Sequence, residues 1–385
     1  MFSEDFMDSI GIICEYNPLH LGHLKQLRQI RTEYPNSAIV CMMSGNFVQR
    51  GKPAIVSKDL RAQAAIRCGA DLVLELPVTV SLASAERFAS EGTRLLGTFC
   101  NKLCFGAETA DADALLAVAQ ALLSEEFKQA LREFLDQGLS FPAARQAALE
   151  TMGLDADLVR RPNDILAVEY CKAILSQGLP MQIMPILRQG NYHDTNADTE
   201  NPSATAVRLL MEDRGCWQTY LPQEAAVCLE GAPLHTLRAG ERAILARLRY
   251  MTDAEFEALP YGSEGLWRKL MHAARQENTL EDILTAVKSK RYTRSRLDRM
   301  VMCAFLGLTA EDLSTPAPYA RVLALNDKGR QVLKLAREQG LYPNVGDKLS
   351  HPFEAIENRC DSLYGLFSED TPRSPTPEYR VYYQK

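Results

Sequence analysis

Ile10-Gly11-Ile12-Ile13-Cys14-Glu15-Tyr16-Asn17-Pro18-Leu19-His20-Leu21-Gly22-His23-Leu24-Lys25-Gln26 carries the strongest structural signal in this 385-residue chain. The apolar, β-branched run to Cys14 predicts a strand, the Pro-bearing turn a loop, and the spacing of Leu24, Leu27 and Ile30 a helix. His20 and His23 are three apart, so in a helix's first turn they share a face. Gly22 between them has no side chain, which allows a ligand close to the backbone. Free N–H groups at the helix start attract phosphate. Two imidazoles beside them can hydrogen-bond the charge that grows on an α-phosphate as pyrophosphate departs. A bare His-x-Gly-His is better explained by two histidines on a solvated helix face. The order strand, Pro turn, helix favours the nucleotide reading.

Alternation of strands and helices continues outward from this stretch. Ala38 to Met43 predicts a second strand that ends in the turn Ser44-Gly45-Asn46. Ser57 is placed to cap a helix reaching about Cys68, which Gly69-Ala70 would end. Asp71 to Leu76 predicts a third strand closed by Pro77, and a helix over about 84–96 leads to a fourth, Lys102 to Phe105. This order implies an α/β fold, a doubly wound parallel sheet with its ligand loops at the carboxyl ends of the strands. His20, Asn46 and Gly106 all follow strand ends and are expected on one rim.

Two later segments suit the same rim. Arg161-Pro162-Asn163-Asp164 precedes a periodic helix, where Asn163 or Asp164 is placed to act as its cap. A strand over Met184 to Leu187 leads to Arg188 and the polar loop Gln189 to Asp194. Pro202-Ser203-Ala204-Thr205-Ala206-Val207-Arg208 then opens another helix. The hydroxyls of Ser203 and Thr205, with Arg208, suit the outer phosphates of a nucleotide at that helix start.

Composition narrows the function. Hydrophobic residues are 46% and charged residues 24% of the chain, as in soluble globular proteins. The acidic start Met1 to Asp8 lacks a signal-peptide pattern, and no uncharged apolar run approaches the ~18 residues of a membrane span, so a cytoplasmic protein is expected. The ten cysteines are scattered, and Cys100 and Cys104 form the one close pair, without a second pair to complete a zinc site. No metal site is expected. None of the 22 glycines is followed two positions later by glycine or alanine, which removes dinucleotide and acyl-coenzyme A loops. Gly51-Lys52-Pro53 rules out a Walker A loop. Any ATP chemistry in this chain must therefore run through the histidine site.

From about Cys216 to Leu308 the pattern turns helical. Arg268, Lys269, Arg275, Lys288, Lys290, Arg291, Arg294, Arg296 and Arg299 face only four acidic residues between 268 and 299. The local net charge is +5, against −6 for the chain. Such segregation creates a phosphate-binding field on an acidic protein, and Tyr292 is placed to stack on a splayed base. A solvated basic helix face explains the run equally well. A strand over Arg321 to Leu325, a helix over about 327–338 and a flexible Pro/Ser-rich tail, Ser368 to Pro377, are expected at the end.

Seven stretches taken in order resemble one family. They are Gly11 to His23, Met43 to Gly51, Phe105 to Glu108, Arg161 to Asp164, Ser203 to Arg208, Lys290 to Arg296 and Tyr319 to Ala324. The first resembles the signature of the HIGH-motif nucleotidyltransferases, and together they are similar to bacterial tRNA(Met) cytidine acetate ligases. The resemblance implies a ligase that activates acetate as acetyl-adenylate, with Mg²⁺ riding on the ATP phosphates. It implies transfer of the acetyl group to N4 of the wobble cytidine of elongator tRNA(Met). ATP would be held by residues Ile13 to Gln26 with Gly106, Asn163 and Arg188. Catalysis would fall to His20, His23, Ser203, Thr205 and Arg208, and tRNA binding to Lys288, Lys290, Arg291, Tyr292, Arg294 and Arg296. Leu21 stands where relatives often carry a polar residue. The expected organisation is a nucleotidyltransferase-like catalytic domain over 1–215, a basic helical region over 216–312 and a small α/β C-terminal segment over 313–385. A metabolite adenylyltransferase, or an RNA-binding protein with a vestigial nucleotide site, are the alternatives. The sequence leaves the oligomeric state open.

Overall fold

The computed structural model describes residues 8–188, 202–289, 291–338, 352–370 and 381–385. β1 (Ser9–Cys14), β2 (Ala38–Ser44), β3 (Leu72–Leu76), β4 (Lys102–Ala107), β5 (Gln182–Leu187), β6 (Arg321–Asn326) and β7 (Tyr382–Gln384) form one sheet in the order β5-β4-β1-β2-β3-β6-β7. β1 to β5 are mutually parallel, with Ile12 beside Cys41 and Leu103 beside Ile183. Strand order reverses between β1 and β4, which opens a crevice at their carboxyl ends. β6 runs antiparallel to β3 and β7 parallel to β6. The expected C-terminal α/β segment thus adds both its described strands, β6 and β7, to the edge of this sheet.

Each face of the sheet is apolar and covered by helices. On one face, helices α3 (Ala85–Leu96) and α4 (Pro162–Gln177) bury Phe88, Leu96, Val168 and Cys171 against Leu103 and Phe105. On the other, α1 (Leu21–Glu33), α2 (Lys58–Arg67) and α5 (Ala204–Glu212) bury Leu24, Leu27, Ile66 and Val207 against Ile10, Ile12 and Val73. Ser57 caps α2 and Ser203 caps α5 through side-chain bonds to Leu60 N and Ala206 N. The cap of α4 differs from expectation. Arg161 holds the cap position, and Asn163 and Asp164 lie inside the first turn. The Glu108 carboxylate, from the end of β4, accepts the Asn163 and Asp164 N–H groups instead.

The helical region has a separate core. Ile244, Leu270, Ile283 and Met300 pack with Phe47 and Leu82, from the segments that follow β2 and β3, and with Ile356 and Phe367, so the region is joined to the loops beside the sheet and to the C-terminal helix α7 (Pro352–Tyr364). The contact helix is α6 (Arg294–Leu306). The tail expected over Ser368 to Pro377 lies mostly outside the described residues; Ser368 itself bridges to His235.

Candidate active site

The β1–α1 junction is held by hydrogen bonds to distant parts of the chain. Asn17 Oδ1 accepts the Ile55 N–H at 2.8 Å, and Arg208 donates to the Asn17 carbonyl at 2.7 Å. Buried Arg61 donates to the carbonyls of Glu15, Ser44, Gly45 and Val56, fixing the loops after β1 and β2 together. His20 is the cap residue of α1, and its Nδ1 accepts the Gly22 N–H at 3.1 Å. His23 Nδ1 accepts the His20 N–H at 3.3 Å. The two rings stack at 3.8 Å and 24°. This corrects the expectation of a free helix start: the Gly22 N–H is taken by the capping histidine, and the His23 N–H by the His20 carbonyl. At Gly22 a Cβ would sit 3.0 Å from the His20 ring, so a larger residue there would press on the capping imidazole.

Those bonds fix the tautomers. With both Nδ1 lone pairs engaged, each neutral ring carries its proton on Nε2 as a donor. Burial, then Arg188 and Arg208, pushes His20 down to about 3. Burial, then His20 and Arg188, holds His23 well below the usual histidine range. Both rings are neutral donors at neutral pH.

The opposite wall is built from β4, α4, Arg188 and α5. Arg188 donates to Asn163 Oδ1 at 3.1 Å, while Asn163 Nδ2 donates to Glu108 at 2.6 Å. Gly106 leaves room for the Arg188 stem, which a Cβ would meet at 2.9 Å. Arg208 donates to Thr205 Oγ1 at 3.1 Å, and Ser203 accepts the Ala206 N–H at 3.0 Å.

Between the walls lies a cleft of about 390 Å³. Ile13, Cys14, Glu15, Tyr16, Asn17, His20, Gly22, His23, Lys25 and Gln26 line it, together with Gly106, Asn163, Arg188, Ser203, Thr205 and Arg208. Pro18, Leu19, Leu21 and Leu24 do not. Leu19 and Leu24 are buried beneath α1, and Leu21 packs on the same core, so an apolar residue there costs the cleft no contact. Asn46, expected on this rim, turns away: it accepts the Lys58 N–H and donates to Asp361. Sequence reasoning missed Gln49, Arg50, Phe88, Phe105, Leu166 and Tyr170 on the lining. The spacing of Asn163, Leu166 and Tyr170 along one helix was the available signal.

The basic run is more internally paired than its charge count implies. Arg294 donates to both Glu281 oxygens at 2.7 Å and to Asp298 at 2.9 Å. Arg291 pairs with Glu264, and Arg296 donates to the Tyr261 carbonyl at 2.8 Å. Tyr292, expected to offer its ring to a base, is only 5% exposed. The ring is packed in the helical core beneath the Arg296 guanidinium, with its hydroxyl on Glu264. Lys288 and Arg291 stay exposed. Lys290 and the loop Gln189 to Asp194 lie outside the described residues.

A short hairpin, Phe47–Val48 with Lys52–Pro53, joins the two regions. Its turn residue Gly51 (φ +72°) lies against the backbone of Asp298 and Arg299, and Arg299 donates to the Gln49 carbonyl at 3.4 Å. Gln49 and Arg50 thus reach the cleft from a hairpin seated on α6.

Comparison with known proteins agrees with this geometry. Residues 7–374 match the model of the HIGH Nucleotidyl Transferase family. The chain is 35% identical to the tRNA(Met) cytidine acetate ligase of Clostridium novyi over 88% of this chain and 89% of that one. It is 34% identical to that of Clostridium acetobutylicum over 97% and 98%. TmcAL of Thermotoga maritima superposes with a TM-score of 0.89 at 29% identity, covering 98% of this chain and all of that one. A second form of that protein, bound with alpha-thio ATP, superposes with a TM-score of 0.85. With its histidine pair, its crevice and these relatives in agreement, the chain belongs to the tRNA(Met) cytidine acetate ligase family of HIGH nucleotidyltransferases.

Proposed function

We propose that the cleft binds ATP and acetate, forms acetyl-adenylate, and passes the acetyl group to N4 of the wobble cytidine of elongator tRNA(Met). The stacked pair of neutral Nε2 donors carries this reading. An acetate oxygen attacks the α-phosphorus, and the bond to the β-phosphate oxygen breaks, its electron pair leaving with pyrophosphate. His20 and His23 donate to the α-phosphate oxygens as charge gathers there. Ser203, Thr205 and Arg208 hold the departing phosphates. The cytidine N4 then attacks the acyl carbon, AMP leaves with the electron pair of the broken C–O bond, and N4 loses its proton to water.

Mg²⁺ fits as an ion carried on the triphosphate, where it neutralises charge. Glu15 is the one carboxylate among the described lining residues, and no three ligating side chains gather among the described residues. The division of labour we propose gives adenylation to 1–215, with the sheet edge supplied by 313–385, and tRNA binding to 216–312. Exposed Lys288 and Arg291 support the latter, with Lys290, Arg294 and Arg296 in the same run. Work on tRNA fits a cytoplasmic setting, and no described helix is long and apolar enough to cross a membrane.

Pyrophosphate exchange into ATP tests the first step, and mass spectrometry of tRNA(Met) nucleosides after incubation with ATP and labelled acetate tests the second. Label in N4-acetylcytidine supports the reading. Product from acetyl-coenzyme A without ATP overturns it, and exchange driven by a nucleotide instead of acetate favours a metabolite adenylyltransferase.

A further inference from the structure

The phosphate-binding side chains leave one end of the cleft unexplained. There Phe88, Phe105, Leu166 and Tyr170 form an apolar wall. Tyr170 is 5% exposed, its ring lies 5.5 Å from that of Phe105, and its hydroxyl makes no hydrogen bond to any described residue. Burial, with Cys14 and Glu15 nearby, pushes its pKa up, so it remains a proton donor beside the carboxyl end of β1. Asn163, Leu166 and Tyr170 share one face of α4, and Asn163 is tied to Arg188. At 1.5 Å per residue, Tyr170 lies about 10 Å further along that helix than Asn163. A tyrosine on the cleft lining whose hydroxyl has no partner among the described residues, set in an aromatic wall, suits a small ligand with one polar end and one apolar end.

We propose that this end of the cleft is the subsite for the acid, with the Tyr170 hydroxyl donating to its carboxylate and Phe88, Phe105 and Leu166 enclosing its methyl group. The assignment rests on acetate activation as proposed above. The oxygen that does not attack phosphorus keeps the Tyr170 bond and becomes the acyl carbonyl oxygen. The wall then acts as a gauge of acyl length: formate leaves it unfilled, and propionate overfills it. An apolar pocket discriminates by about 10–200-fold per methylene.

The test is pyrophosphate exchange at varied acid and varied ATP. Tyr170→Phe removes one oxygen and keeps the ring, and should raise the acetate KM about tenfold or more while the ATP KM moves less than about twofold. Wild type should prefer acetate to formate and propionate, and Leu166→Ala should narrow the margin over propionate. An unchanged acetate KM in Tyr170→Phe, or an equal rise in the ATP KM, overturns the subsite while acetate activation stands. Absence of acetate-dependent exchange in wild type overturns acetate activation, and the subsite with it.

Discussion

Lys58 Nζ lies 2.6 Å from Asp361 Oδ2, a salt bridge between residues 303 positions apart that ties α2 to the C-terminal helix α7. The same ammonium reaches Glu75 at 2.8 Å, and Arg321 reaches Glu75 and Glu357. Five charged side chains therefore meet where β3, β6, α2 and α7 converge, next to the hairpin that feeds Gln49 and Arg50 to the cleft.

This cluster has a definite pH signature. Burial, then Glu75, raises Glu357 to about 7 against the opposing pull of Arg321 and Lys58. A raised carboxyl pKa contributes stability that is complete below about 4.5, the unfolded value, and is lost as pH rises through about 7. Glu357→Gln removes that dependence. The difference in unfolding free energy, variant minus wild type, should therefore increase from about pH 5 to pH 8 in urea titrations. A constant difference would show that Glu357 is ionised throughout.

His20→Ala and His23→Ala should each cut acetate-dependent adenylation by roughly 10²–10³ while leaving the fold intact. Because burial keeps His20 neutral down to about 3, wild-type adenylation should show no histidine titration near pH 6.5. Near wild-type exchange in either variant, or a rate that tracks an ordinary histidine pKa, contradicts the assignment.

Gly51 and Gly138 both have left-handed backbone, at φ +72° and +89°, but only Gly51 has neighbours where a Cβ would go. Gly51→Ala should cost roughly 1–3 kcal/mol and Gly138→Ala about 1 kcal/mol or less. Denaturation of the two variants side by side isolates the docking of the hairpin on α6. Equal losses would mean that the docking contributes nothing.

Replacing Lys288 and Arg291 with Ala should weaken tRNA binding and flatten the dependence of log affinity on log salt by about 0.7–0.9 per charge removed. Adenylation should stay at its wild-type rate, since neither residue lines the cleft. Arg294 is a poorer choice for this test, because removing it leaves two carboxylates unpaired, one of them the largely buried Asp298, whereas Arg291 leaves only the exposed Glu264. Filter binding over a salt series decides the matter, and an unchanged slope would mean that this face does not meet tRNA.

Local signals proved legible where one residue type does one physical job. The run before Cys14, the caps at Ser57 and Ser203, and the strand beginning at Arg321 all appear where periodicity and hydroxyl side chains place them. Pairing across distance was not legible. Glu108 displaces a local cap at α4 because its carboxylate arrives from another strand, and Asn46 leaves the cleft because Lys58 and Asp361 bind it. Tyr292 illustrates the limit of a charge count. Amid arginines it resembles a platform for bases, yet the helical core claims its ring.

The antiparallel strand β6 also bears on how the protein is made. β3 leaves the ribosome early, but the strand that covers its edge begins at Arg321, after the whole helical region. Until then Leu72 to Leu76 present an unpaired apolar edge, a surface prone to mispairing with other chains. Completion of the sheet late in synthesis couples the adenylation site to the presence of the helical region. A chain that stops before β6 is expected to aggregate rather than persist as a free acetyl-adenylate generator.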